Sequence, residues 1–363
     1  MNIFKVPTSK KIKAFILRKL TSKSKNKELT RIRKVLFFRY DRIGDMILTT
    51  PVFREFKKKY TNTELFVLAS KYNQDIIKFN PYVDKIYTNH KNNFFNDLKT
   101  LLFLRKQKID VIFEFDHSVI PHAIIRLKII NPKMIISVKK DGRYGLSGSD
   151  LRLYDCYSNI KSIDHARDRW LRTLTCLNIK SRNNKYDIYI DNDSETRAES
   201  FIKNISGSFF IGFNFEGAVK GKKVPFEDFS RLSRDIESFF PEAKIIVLTQ
   251  PKLRDEILFK VNSSNLLNVV IPYPSISILD VASLIKRFNI VISPDTSIVH
   301  IASTFNIPII SIHENNKESF NLFRPVSEIS RTLFSTKKNS LKGYDYKVLR
   351  EYTHEVINLV NNR

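Results

Sequence analysis

Glycine is scarce in this chain, nine in 363 residues, which excludes glycine-rich repeats, and no internal period of solenoid length is present. There are two cysteines, Cys156 and Cys176. Two are too few for a disulfide-built scaffold and lack metal-ligand spacing, so they read as core or surface thiols in a reducing compartment. Long apolar runs are missing as well. The longest in the N-terminal region, Ala14-Phe15-Ile16-Leu17, falls far short of the roughly 20 residues that span a bilayer and of a signal-peptide core. These absences point to a cytoplasmic protein, and 363 residues are comfortable for two domains.

Acidic charge is short too. The net charge of +25 calls for an anionic partner or surface. Residues 1–34 hold twelve Lys/Arg against one acid, Glu28, so +11 sits in the first tenth of the chain. Within that segment Ile12, Phe15, Ile16 and Leu20 fall near a 3.6 period behind Ser9, a candidate N-cap. Such a segment reads either as a basic amphipathic helix on an anionic membrane or as a disordered basic arm.

What is present is alternation. Strand-like 34–39, 64–69, 83–87, 111–115 and 134–138 are separated by helix-like 45–59, 72–79, 94–106 and 121–130. The polar stretch 139–163 reads as a mobile flap, followed by a helix at 164–178, a strand Tyr186–Ile190 and a link at 191–206. A second series has strands at 209–213, 244–248, 267–270, 290–292 and 307–312, with helices at 226–239, 253–261, 277–287 and 296–305. This is the pattern of βαβ units on parallel sheets. We therefore expect an α/β protein: an arm at 1–33, a Rossmann-like domain at 34–190, the link, a second Rossmann-like domain at 207–343 and a terminal helix at 344–363. Two such halves suggest a cleft between domains, a favoured place for a ligand.

Three stretches carry candidate chemistry. Asp41-Arg42-Ile43-Gly44-Asp45 follows the buried run Val35-Leu36-Phe37-Phe38 and opens a helix, so a sharp turn containing Gly44 sets Asp45 at a strand's carboxyl end. Asp45 there is a helix cap or a catalytic group. Ser293-Pro294-Asp295-Thr296-Ser297 precedes a helix bearing His300. Asp295 or Thr296 would cap that helix, and the amides behind them form a phosphate-sized anion site. The plain alternative is an N-cap with a structural histidine. Asn214 opens a lysine-bearing loop with Lys220, Lys222 and Lys223. A lysine in it would neutralise a leaving diphosphate or simply be solvated.

Taken together, Arg39…Ile43-Gly44-Asp45…Leu48-Thr49-Thr50-Pro51, Asn80-Pro81-Tyr82-Val83-Asp84, Lys222-Lys223-Val224-Pro225 and Ser293-Pro294-Asp295-Thr296-Ser297…His300-Ile301-Ala302 resemble glycosyltransferase family 9, the ADP-heptose:lipopolysaccharide heptosyltransferases and their relatives. The resemblance implies a GT-B fold, with the acceptor in the N-terminal half and the nucleotide sugar in the C-terminal half. It implies Asp45 as catalytic base, with Arg42, Gly44 and Thr50 on the acceptor side. It implies Lys222, Asp295, Thr296, Ser297, His300, Glu256 and Asn214 on the donor side, Glu256 as an acidic ribose ligand. No metal and no cofactor beyond the substrate, an ADP-heptose, are implied. The implied partners are that donor, a lipid-linked saccharide acceptor and the anionic inner face of a bacterial cytoplasmic membrane, met through residues 1–33. Ser297 stands where the family has Gly, Val224 where it has Trp, and His313-Glu314-Asn315 where it has Phe-Gly-Pro. Three other readings stay open: a different nucleotide sugar serving capsule or O-antigen, an inactive GT-B assembly protein, and a basic nucleic-acid-binding protein. Against the last, no base-reading motif is present and no nucleic acid is expected.

Overall fold

The computed structural model describes residues 8–21, 29–90, 93–140, 143, 146, 151–158, 164–217 and 222–362. The chain divides into two compact units, Met1–Lys185 and Tyr186–Arg363. Residues 1–7 and 22–28 of the basic arm, most of the 139–163 stretch and Lys220 lie outside the described residues.

The first unit opens with α1 (Thr8–Leu20), then runs β1 (Lys34–Arg39), α2 (Ile43–Lys59), β2 (Glu64–Ser70), β3 (Lys85–Asn89), α3 (Phe94–Lys106), β4 (Val111–Glu114), α4 (Pro121–Ile130), β5 (Met134–Val138), β6 (Cys156–Ser158) and α5 (Ala166–Leu171). Among the described residues its strands form one parallel sheet in the order β3-β2-β1-β4-β5-β6. The central strands are apolar on both faces because helices cover both. On one face Phe37 stacks on Phe113 at 4.7 Å and meets Phe53 of α2 edge-on at 5.0 Å. On the other, Leu36, Phe38 and Ile112 bury against Leu101 and Leu104 of α3 and Ile124 and Leu127 of α4, with Ala14 and Leu17 of α1 joining the cluster.

The second unit begins with α6 (Asn192–Lys203) and continues β7 (Phe209–Asn214), α7 (Phe226–Phe239), β8 (Ala243–Leu248), α8 (Arg254–Ser263), β9 (Val269–Val270), α9 (Ile278–Ile285), β10 (Ile290–Pro294), α10 (Ser297–Thr304), β11 (Ile309–His313), α11 (Lys317–Phe323), β12 (Ser330–Phe334) and α12 (Tyr346–Asn361). Its sheet runs β12-β11-β10-β7-β8-β9, again all parallel. Read from the first strand of each unit, both sheets have the doubly wound order 3-2-1-4-5-6. The segment expected as a link is mostly α6. Asp191 caps it, and Arg197 and Glu195 tie it to α9 and the residues just after through Asp280 at 2.5 Å and Arg287 at 2.6 Å.

Several expectations are corrected. The helix expected at 72–79 is a single 3-10 turn, Gln74–Ile77. Tyr186–Ile190 carries no strand pairing. The series in the first unit does not close at β5: three residues of the stretch read as a flap form β6 and pair with it. The helix expected over 164–178 changes to 3-10 geometry at Arg172–Leu177. That turn packs beside β6, so Cys156 and Cys176 come to a Cα separation of 6.1 Å and form a disulfide. The expected free thiols are absent, and cysteine usage no longer speaks to the compartment.

The crosslink closes a segment with a sequence separation of 20. Limiting the unfolded chain in this way is worth about 3 kcal/mol. Cys156→Ser should lower unfolding stability by about that amount under oxidising conditions and change it little in reductant, as read by denaturant titration. Equal stabilities in both conditions would contradict a structural role.

Candidate active site

In a doubly wound sheet, the loops leaving the carboxyl ends of strands 1 and 4 turn to opposite sides and leave a crevice between them. In the first unit that edge gathers Arg39 and Asp41 from the end of β1, Asp45 from α2, and Glu114 and Asp116 from the end of β4. The helix starts earlier than expected. Arg42 is its N-cap, and Gly44 lies buried inside the first turn rather than in a preceding sharp turn. Asp45 is the third helical residue. Its Oδ2 accepts from the Arg42 amide at 3.3 Å, and its Oδ1 lies 3.8 Å from Arg39 Nη2. It is therefore a cap, held by a guanidinium as well, with its side chain still partly open to solvent.

Arg39 is buried with its guanidinium 4.0 Å over the Trp170 ring, and the same nitrogen pairs with Asp41 at 3.0 Å. Two carboxylates thus share one buried cation. Packing around Asp41 pushes its carboxyl up to about 8, opposed by Arg39 and reinforced by Asp45 and Asp116, although a third of the side chain still meets solvent. Thr50 does not face this edge. Pro51 sits in the helix without an N–H, and the Thr50 hydroxyl donates at 2.7 Å to the Ile47 carbonyl that proline leaves unpaired. Thr50 is wholly buried, and its assignment to the acceptor side is replaced by this role in the helix.

At the neighbouring strand ends Lys140 forms a fully buried ion pair with Glu114, donates to the Asp116 carbonyl and lies 4.9 Å over the Tyr154 ring. Ser137 donates to the Glu114 carbonyl at 2.6 Å. Burial pushes Glu114 up to about 7, with Lys140 opposing and Asp116 adding to the rise.

In the second unit the corresponding edge lies between β7 and β10. Asn214, buried at the end of β7, donates from Nδ2 to Ser293 Oγ at 3.0 Å, to Thr296 Oγ1 at 3.3 Å and to the Glu216 carbonyl at 3.0 Å. Thr296 is the N-cap of α10, its Oγ1 accepting from the Ile298 amide at 3.2 Å, and Ser297 opens the helix at its positive end. One asparagine thus clamps the first strand to the turn that sets the helix terminus. Asp295 follows β10 with Oδ2 4.0 Å from His313 Nδ1. His313 is buried against Phe320 and Phe334, and its Nε2 has no protein partner. Burial holds the imidazole below its ordinary value, Asp295 pulling it up and Lys222 down, so it is neutral at physiological pH. His300 is buried within α10.

Lys222 lies near this edge but is already paired, 3.0 Å from Glu314. Burial opposes ionisation of Glu314, yet hydrogen bonds from Lys222 and the Asn339 amide hold it below the usual carboxylate range. Lys223 is exposed, and Val224 is in the core, its amide donating to Phe215 O at 3.0 Å. Glu256 does not join the cluster. It is exposed on α8 and pairs with Lys260 at 2.7 Å. The buried carboxylate at this edge is Glu216, which accepts from Thr249 at 2.9 Å and the Gln250 amide at 3.2 Å. Sequence reasoning missed Arg39, Asp41, Trp170, Glu216 and Glu314 as site residues. All but Trp170 stand at or just past strand carboxyl ends, the signal that would have found them. Among the described residues no three His, Cys, Asp or Glu side chains group as metal ligands.

The folded value of Glu114 stands above its ordinary 4.5. Its contribution to stability is therefore complete below about 4.5 and is lost as pH rises through about 7. Removing the cation leaves a buried carboxylate unpaired, a loss of about 3–5 kcal/mol when it is ionised. Lys140→Met should therefore cost far more stability at pH 8 than at pH 5 in denaturant unfolding. The same loss at both would contradict the buried pair.

The model of glycosyltransferase family 9 (heptosyltransferase) matches residues 104–348, a span that takes in the whole β7/β10 edge and leaves out Asp45. A curated relative in Escherichia coli (strain K12), carrying the provisional name lipopolysaccharide heptosyltransferase 4, is 21% identical over 294 residues, 76% of this chain and 73% of its own. Among solved structures, the glycosyl transferase family 9 protein from Veillonella parvula DSM 2008 is 17% identical, with a TM-score of 0.75 over 92% of this chain and 99% of that one. The E. coli heptosyltransferase WaaC with ADP is 14% identical, with a TM-score of 0.68 over 89% and 99%. At these identities the structures speak for the fold, which is the GT-B type with two Rossmann-like units. The β7/β10 edge, with its clamped helix terminus and half-buried, paired lysine, lies inside the matched span, and the chain belongs to glycosyltransferase family 9.

Proposed function

We propose that the protein transfers a heptose from ADP-heptose to a lipopolysaccharide core or related surface-glycan acceptor, with inversion and without a metal. The observation that carries the donor half is the α10 terminus, where Asn214, Ser293 and Thr296 fix a helix start beside Lys222. Such a terminus meets a diphosphate through its amides and dipole. The names of the relatives support ADP and heptose.

In this reading Asp45 accepts the proton of an acceptor hydroxyl while that oxygen attacks the anomeric carbon and the bond to the diphosphate breaks. Negative charge grows on the departing nucleoside diphosphate, against Lys222 and the amides at Thr296 and Ser297. Lys222 exchanges its pairing with Glu314 for the phosphates. Asp191 of the Asp191-Asn192-Asp193 stretch accepts from the Ser194 amide at 3.0 Å and hydroxyl at 2.9 Å, which supports reading that stretch as the cap of α6. Of the departures from the family pattern, Val224 concerns packing. Ser297 and His313 stand at the donor edge and favour a second reading, a different sugar on the same scaffold.

The protein is placed on the inner face of the cytoplasmic membrane, where a lipid-linked acceptor would be met. Among the described residues no helix is long and apolar enough to cross a membrane. The arm expected at 1–33 supplies α1, a helix with no acidic residue in its first turn and with Arg18 and Lys19 in its last.

General-base assistance is typically worth about 10²–10⁴ in rate. Asp45→Asn should lower kcat by that factor with ADP-heptose and a truncated lipid-linked acceptor, while nucleotide binding is kept. Undiminished turnover would remove Asp45 from the role, and a larger loss in Asp41→Asn would move the base to the carboxylate sharing Arg39.

A further inference from the structure

The first unit carries an outward face of unusual chemistry. On α3 the exposed residues include Phe94, Phe95, Lys99, Leu102, Phe103, Arg105 and Lys106. Phe95 and Phe94 are 80% and 73% exposed. Phe95, Lys99, Leu102 and Lys106 follow one another at three- and four-residue spacing and so lie along a single stripe. The helix has one acid, Asp97, and it is taken up by Arg126 at 2.9 Å. The buried side, Leu101 and Leu104, is what holds α3 to the sheet, with Phe103 resting on Tyr87 at 5.8 Å, so the core does not need Phe94 or Phe95.

α1 repeats the pattern. Ala14 and Leu17 face the core, while Ile12, Phe15 and Ile16 are exposed alongside Lys13, Arg18 and Lys19, and the helix contains no acid. The Lys19 ammonium lies 4.9 Å over the Phe15 ring. α4 packs beside both helices and adds exposed Ile125. Scattered exposed apolar residues mean little, but several helices of one layer presenting them together do. A surface facing only water would mix acids among its lysines. Aromatic and aliphatic side chains interleaved with cations and no unpaired acid complement one environment, the interface of an anionic bilayer, where rings enter the headgroup layer and lysines meet lipid phosphates.

We infer that the outer face of α3, together with α1 and α4, docks this protein onto an anionic lipid bilayer. This rests on the membrane placement proposed above and extends it from the basic arm to a folded surface. With that face on the lipid, the acceptor's lipid end stays in the membrane while its saccharide is met by the unit bearing Asp45.

The test uses the full chain with vesicles of phosphatidylcholine alone and with added phosphatidylglycerol, in a sedimentation assay. Two variants separate the contributions: Phe94→Ser with Phe95→Ser, and Lys99→Glu with Lys106→Glu. These positions are exposed, so melting temperatures should match the parent's. The parent should bind anionic vesicles and not neutral ones, each pair of substitutions should weaken binding tenfold or more, and high salt should weaken the parent. Unchanged binding in both variants would overturn the inference. So would equal binding to neutral vesicles, salt-dependent binding of random RNA in place of vesicles, or a dimer in solution that the Phe95 variant abolishes. Transfer to a delipidated acceptor should be the same in parent and variants. Its absence from all of them, with vesicle binding intact, would count against the transferase reading and leave the docking face standing.

Discussion

Both units depend on one constraint, the parallel pairing of a first strand with its fourth, β1 with β4 and β7 with β10. The chain winds one way from the first strand and then back past it, so the loops at that pair diverge and backbone cannot close over the carboxyl edge. Several of the polar groups that the two sheets bury gather there, Arg39, Glu114, Asn214 and Ser293 among them. Arg39 ends a strand whose interior, Val35 to Phe38, is apolar, and Asn214 ends another. Neither position would be tolerable deeper in a sheet covered by helices on both faces, because a buried polar group needs partners. At the edge those partners are the first turns of the next helices.

The two edges solve different problems. In the first unit negative charge predominates: Asp41, Asp45, Glu114 and Asp116 against Arg39 and Lys140. Asp41 and Glu114 are both pushed up by their surroundings. Groups forced towards neutrality in this way suit proton acceptance and hydroxyl recognition. In the second unit the edge is built from a helix terminus, a clamped N-cap and a lysine, which suits an anion. Lys222 is paired with Glu314, which fixes the position of its ammonium. His313, neutral and with Nε2 unpartnered, lies 4.0 Å from Asp295 at the same edge.

Periodicity made most of the fold legible. The helices 94–106, 121–130 and 226–239 and the strand 134–138 have in the structure the bounds their apolar spacing predicts, with Asn93 capping the first helix and Pro121 opening the second. The failures have separate physical causes. β6 and β12 are edge strands with partly polar sequences, so no apolar run marks them. Tyr186–Ile190 has strand composition but joins neither sheet. The disulfide was invisible because it depends on β6. Of the stretches that motif order singles out, the structure sets Asp45, Asn214 and the Asp295–Ser297 turn at or just past strand carboxyl ends. Thr50 is buried, its hydroxyl bonded to the carbonyl that Pro51 leaves free, and Glu256 stands in a surface i,i+4 pair while Glu216, one strand away, is buried. Three-dimensional adjacency of strand ends, which no linear spacing records, separates the two glutamates.

The central claim is that the β7/β10 edge binds an adenosine diphosphate sugar. Thermal unfolding of the full chain with ADP, UDP, GDP and CMP tests it most directly. A nucleotide at a hundred times its dissociation constant stabilises the fold by about 2.7 kcal/mol. ADP should raise the melting temperature well above the other three, and Asn214→Ala should remove that rise. A preference for UDP, GDP or CMP, or no stabilisation by any of them, would contradict the account.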